Sequence, residues 1–129
     1  MDTERLKKID VFSSLPEDEL AKLARQAQET TVDEGTVLIE AGGSSEKLWG
    51  IEEGTVEVER DGETVATLGA GDVVGETGIL KRKLRNASVT AKSPVKGFVI
   101  AQSDIKRLRK QDADLDQALQ KVLEERAED

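Results

Sequence analysis

TVEVERDGETVATL, residues 55 to 68, is two runs of period-two patterning joined at Asp61-Gly62. An Asp-Gly pair between two such runs is a strong hairpin signal, because both central positions of the favoured turn need positive φ. Similar short runs lie on either side: TVLIE (36–40), KLWGIE (47–52), NASVTA (86–91) and VKGFVI (95–100). Their connections carry Gly42-Gly43, Gly54, Gly69 to Asp72 and Ser93-Pro94, all turn-forming residues. Several short antiparallel strands in succession predict a roll or sandwich closed on one core.

The two ends of the chain read differently. Pro16 to Gln28 predicts the one N-terminal helix: Pro suits a first helical position, Glu17, Asp18 and Glu19 complement the helix start, and Leu20, Leu23, Ala24 and Ala27 share a face. Val11, Phe12 and Leu15 precede it as an apolar anchor. After Gln102, SDIKRLRKQ places Ile105 and Leu108 on one face. A second C-terminal helix starting near Asp112 or Asp114 carries Leu115, Leu119, Val122 and Leu123 along a stripe. The expected fold class is therefore mainly β with flanking helices, an antiparallel jelly-roll-like β-roll over about residues 32–101 with C-terminal helices over about 103–127. Residues 1–129 form a single domain.

Composition narrows the chemistry. The chain has 129 residues, with 36% apolar and 36% charged, a net charge of -8, and no Cys, His or Tyr. Without Cys or His the commonest metal ligands, nucleophiles and general bases are missing, so an enzyme is not expected and no metal site is assigned. A cupin-like β-barrel enzyme, which shares the jelly-roll look, usually needs several His ligands and is set aside on that ground. The acidic balance argues against nucleic acid or an anionic membrane as partner. MDTERLKKID has no apolar core of a secretion signal, and a cytoplasmic location is expected.

One segment invites a small anion. GDVVGETGIL reads as a strand end, a glycine and one helical turn, the short helix of the site. Backbone N–H groups at such a start attract negative charge, and Gly75 lets the backbone come close to it. Glu76, acceptor-only when ionised, suits a ribose hydroxyl. Arg85 offers a planar fork matched to phosphate oxygens, Ala87 leaves room, and Ser88 can add a hydrogen bond. Together they describe a pocket for a sugar phosphate. Lys81, Arg82 and Lys83 read as a solvated loop that raises the local positive potential.

With Gly35, Gly42, Trp49, Ile51, Gly54, Val56 and Val58 in order before it, the segment resembles the phosphate-binding cassette of cyclic nucleotide-binding domains, F-G-E-[LI]-[AG]-L followed by P-R-x-A-[ST]. The resemblance spans about residues 11 to 125. It implies a regulatory sensor domain that binds cAMP or cGMP and signals through the C-terminal helices. It also implies that Gly75 meets the cyclic phosphate, Glu76 the ribose 2′-hydroxyl and Arg85 the exocyclic oxygens, with Thr77, Asn86, Ala87 and Ser88 completing the ligand-binding set. Asn86 follows the arginine, where Thr or Ser in the family favours cGMP and Ala favours cAMP; Asn decides for neither. Leu115 or Leu119 of the last helix would cover the base. Trp49 occupies the family's buried aromatic position and reads as core or roll-edge packing.

Val74, Thr77 and Leu84 depart from the family's Phe, apolar residue and Pro, which motivates an alternative: a binding-silent domain of the same fold, kept as a protein-interaction or regulatory module. A protein effector or a fused output domain is the expected partner in either case. The C-terminal stripe allows a monomer or a weak homodimer.

Overall fold

The computed structural model describes residues 1–40, 47–75 and 87–127, of which 123 and 125–127 by backbone alone. In chain order the elements are α1 (Thr3–Lys7), a 3-10 turn (Asp10–Phe12), α2 (Glu17–Gln26), β1 (Gln28–Val32), β2 (Val37–Ile39), β3 (Lys47–Glu53), β4 (Val56–Arg60), β5 (Glu63–Leu68), β6 (Val73–Val74), β7 (Ser88–Ala91), β8 (Val95–Ala101), α3 (Gln102–Gln111) and α4 (Ala113–Ala127). The strands form two antiparallel four-stranded sheets, β1-β8-β3-β6 and β2-β7-β4-β5.

The hairpin forms where the sequence places it. Asp61 has φ 54° and Gly62 φ 82°, and Arg60 pairs with Glu63 across the turn. Positive φ at both positions matches the strand twist. A register shift at Val58/Glu59 bends the ribbon without moving Val56 and Val58 off the inner face.

Strands β3, β6 and β8 carry apolar side chains on both faces of their sheet, and strand alternation sorts these into two cores. Leu48, Val73, Phe98 and Ile100 point to the helices and pack with Leu6, Ile9, Phe12, Leu20 and Leu23. Ile51, Val74 and Val95 point the other way and meet Ile39, Val56, Val89 and Ala91 of the second sheet, closing the roll. Adjacent residues such as Val73 and Val74 thus belong to different cores, and each is 1% exposed.

Three boundaries differ from the sequence reading. The α2 helix ends at Gln26, because Ala27 turns extended (φ -69°, ψ 135°) and the next residues run antiparallel to β8, from Gln28 opposite Val99 to Val32 opposite Val95. This strand, β1, is an edge strand of mostly exposed Gln, Glu and Thr, so it lacks the alternation that marks a half-buried strand. Pro16 sits one residue outside the helix as its N-cap. A short extra helix, α1, precedes the apolar anchor, and Val11, Phe12 and Leu15 are buried as expected.

At the C-terminus the two expected helices are present. Asp112 breaks them apart with an extended backbone (φ -132°, ψ 105°). Its carboxylate accepts the Leu115 amide at 2.9 Å, the bond that starts a helix. Arg109 Nε donates to Asp116 Oδ1 at 2.6 Å and ties α3 to α4. Ile105, Leu108, Leu115 and Leu119 are essentially fully buried and join the helical core rather than the roll. Leu123 lies outside the described side chains.

The short α1 helix is tied to the sheet by charge. Arg5 donates to Glu52 at 2.8 and 2.9 Å through Nη2 and at 3.2 Å through Nε, and also to Glu29 of β1. These partners raise the Arg5 guanidinium above its ordinary value, the hydrogen bond to Glu52 first. The Arg5 hydrogen bond holds the Glu29 carboxyl below its usual range. Glu17 is likewise lowered, first by the hydrogen bond from Lys7 at 3.0 Å and then by Thr3.

Candidate functional site

Two fixed flanks frame the segment that the sequence singles out. The first begins in the turn Gly69–Asp72. Asp72 accepts the Gly69 amide through Oδ2 at 2.9 Å and returns its own amide to Gly69 O at 3.1 Å. Gly71 donates to Ile51 O, Ile51 donates to Asp72 O, both at 2.9 Å, and Gly71 O accepts from Asp10 at 3.0 Å. The turn is therefore pinned to β3 on one side and to the N-terminal 3-10 turn on the other. Two strand residues follow, Val73 opposite Gly50 and Val74 opposite Trp49. Gly75 then adopts φ 99°, a conformation that an L side chain disfavours.

The second flank is Ala87 and Ser88. Ala87 is 9% exposed, and Ser88 opens β7, which runs between β2 and β4 in the middle of its sheet. Val89 pairs with Ile39 and with Val58, and Ser88 pairs with Glu59. Because Val89 and Ala91 belong to the roll core, alternation puts Ser88 on the outer face with Thr90, Glu57 and Glu59. Lys92 lies on that outer face, 3.4 Å from Glu57 and 3.8 Å from Glu59. By the same alternation Ala87 is the inward member of the pair.

The two flanks come from different sheets. Gly75 leaves the edge of one, and Ala87 enters the centre of the other. Glu76, Thr77, Arg85 and Asn86, together with the expected short helix, lie outside the described residues, as does the Gly42-Gly43 connection. By sequence, residues 76–86 carry four cationic side chains and one acid in a chain of net charge -8. An anion approaching this otherwise acidic protein is drawn there.

Around the roll core lies a partly covered apolar wall. Val32, Leu38, Trp49, Val58 and Leu68 pack against the roll core yet keep some exposure. The sequence reading took Val56 and Val58 as apolar strand positions and did not single out Leu68, which pairs with Val56; its two-residue offset from Ala66 was the available signal. Leu115 and Leu119 are not part of this wall. They are held in the helical core on the far face of the β1-β8-β3-β6 sheet, so in this arrangement neither covers a base. Among the described residues no group of three or more His, Cys, Asp or Glu side chains could hold a metal. No described helix is long and apolar enough to cross a membrane.

The features that define the protein's class are a roll of two antiparallel sheets, a glycine at positive φ at the edge of one and Ala87 entering the other. The family model described as "Cyclic nucleotide-binding domain" matches residues 29–112, and the chain belongs to that family. It is 35% identical over 105 residues to the cAMP-dependent protein kinase regulatory subunit of Yarrowia lipolytica, an alignment covering 80% of this chain and 28% of that protein. The chain thus spans little more than a quarter of that curated relative. The regulatory domain of Toxoplasma gondii PKA, solved with cAMP, is similar with a TM-score of 0.75 and 28% identity over 81% of this chain and 42% of that one. The regulatory subunit of a cAMP-independent protein kinase A from Trypanosoma brucei is similar with a TM-score of 0.82 and 26% identity over 98% of this chain and 44% of that one.

Proposed function

We propose that this chain is the ligand-binding module of a cyclic nucleotide sensor, taking cAMP or cGMP between the Gly75 and Ala87 flanks. The observation that carries the reading is the placement of Gly75, at positive φ, and Ala87 on opposite sheets, with Glu76 and Arg85 in the stretch between. Gly75 brings its backbone to the cyclic phosphate, Arg85 pairs with the exocyclic oxygens, and Glu76 accepts from the ribose 2′-hydroxyl. Thr77, Asn86, Ala87 and Ser88 complete the contact set, Ser88 through its backbone. The module performs no chemistry on the ligand. It converts occupancy into a different placement of α3 and α4, which requires that the ligand bind one helix arrangement more tightly than another. The Arg109–Asp116 pair and the burial of Leu115 and Leu119 against the N-terminal helices are the contacts that hold the present arrangement. The output is read by a protein effector or a fused domain in the cytoplasm. Leu115, Leu119 and in part Val122 pack into the helical core, which favours a monomer.

Titration calorimetry with cAMP and cGMP on the wild type and on Arg85→Ala tests this reading. A charge-assisted hydrogen bond contributes about 1.5–3 kcal/mol, so the variant binds at least about tenfold more weakly. Absence of heat from either nucleotide in both proteins contradicts it.

The similarity to a subunit whose kinase is described as cAMP-independent supports a second reading, the binding-silent regulatory module. In this chain it draws on Val74, Thr77 and Leu84. A ligand present at 100 times its dissociation constant adds about 2.7 kcal/mol of stability. A melting temperature unmoved by cAMP and cGMP favours the silent module, and a reproducible rise removes it.

A further inference from the structure

The chain has three aromatic side chains, Phe12, Trp49 and Phe98. Phe12 and Phe98 are both fully buried in the helical core, with ring centroids 6.3 Å apart. Trp49 is elsewhere. Its register partners on β3's two neighbours are Val74 and Val99, and its side chain packs against the roll core. Val74 directly precedes Gly75, so the indole stands one residue from the glycine flank of the candidate site. Val74 and Val99 on either side of it are buried at 1% and 6% exposure, whereas Trp49 itself remains partly exposed. This large aromatic ring, flanked by closed neighbours, therefore keeps some contact with solvent beside the glycine flank. Burial of such a ring is a strong driving force, and a base stacked on it gains irrespective of base identity. The alternative apolar cover, Leu115 and Leu119, faces the opposite side of the sheet.

We propose that Trp49 is a ligand-contacting residue, its indole forming the aromatic wall on which the nucleotide's base or sugar rests. This rests on the cyclic nucleotide reading above. It gives the site its aromatic contact from the roll wall rather than from a helix lid. The contact is tolerant of base identity, so Trp49 raises affinity for cAMP and cGMP together and does not select between them.

Trp49 is the chain's single tryptophan, so its emission reports this position alone. Acrylamide quenching of the intact wild-type protein is measured free and with saturating cAMP or cGMP, alongside calorimetry on the wild type, Trp49→Phe and Trp49→Leu. The expected result is that either nucleotide shields Trp49 and lowers the quenching slope. Trp49→Leu then binds both nucleotides about tenfold or more weakly, and Trp49→Phe stays within a few-fold of wild type. Unchanged quenching at saturation, or wild-type affinity in Trp49→Leu, overturns the proposal while leaving cyclic nucleotide binding intact. Should Trp49→Leu fail to fold, the wild-type quenching result decides by itself. No heat from the wild type with either nucleotide overturns the underlying reading as well.

Discussion

Gly75 is the residue on which the first flank turns. At φ 99° an alanine is strained by about 1–2 kcal/mol, so Gly75→Ala should lower stability by that amount in a denaturant titration and weaken nucleotide binding beyond it. Gly50 is limited by space instead. A Cβ there would stand 2.5 Å from Phe98 Cζ, so Gly50→Ala should cost about 1–3 kcal/mol through overpacking and leave ligand contacts untouched. Comparing the two variants by denaturation and calorimetry separates a residue that shapes the site from one that shapes the core. The sequence made Gly75 legible because a glycine before an acidic residue at a strand end has few bland explanations. It left Ser88 half-read: the residue type suggested a hydrogen-bond donor, by backbone or hydroxyl, and strand pairing with Glu59 puts it by alternation on the outer face.

At the scale of elements, legibility followed burial pattern. The β4–β5 hairpin, α3 and the start of α4 carry strong local signals in Asp61-Gly62, in Ile105 and Leu108, and in the Asp112 cap, and each formed where expected. β1 did not announce itself, because its stability comes from hydrogen bonding to β8 and its side chains are mostly exposed. The expected base cover, Leu115 or Leu119, lies in the helical core in this arrangement. Leu115 and Leu119 lie on an apolar stripe that fits any apolar surface, and spacing alone could not say that the N-terminal helices take it. Two predictions belong here. Leu115→Ala should cost about 2–5 kcal/mol, as for other leucines removed from a filled core, measured by chemical denaturation. Asp112→Ala should cost about 1 kcal/mol through the lost cap. It should also loosen the α3–α4 junction, visible as faster amide exchange at Leu115.

For the molecule as a whole, two linked equilibria are open to test. Arg5 holds Glu29 of β1, and Lys7 holds Glu17 of α2, with both carboxyls lowered in the folded state. A lowered folded value means that the stabilisation is fully present above the unfolded carboxylate value of 4.5 and is lost as pH falls through the folded one. The melting-temperature gap between wild type and Glu29→Gln should therefore stay constant from neutral pH to about 5 and close below it. Its persistence at lower pH would contradict the Arg5–Glu29 assignment. The second equilibrium is the proposed binding of a cyclic nucleotide between the two flanks. Its most direct test is an NMR titration of the intact chain with cAMP and cGMP, following backbone amides. The expected result is that Gly75, Ala87 and Ser88 move most among the described residues and saturate together, with smaller changes carried into α3 and α4. Amides that stay still at millimolar nucleotide, or that move only away from these flanks, would contradict the cyclic nucleotide site.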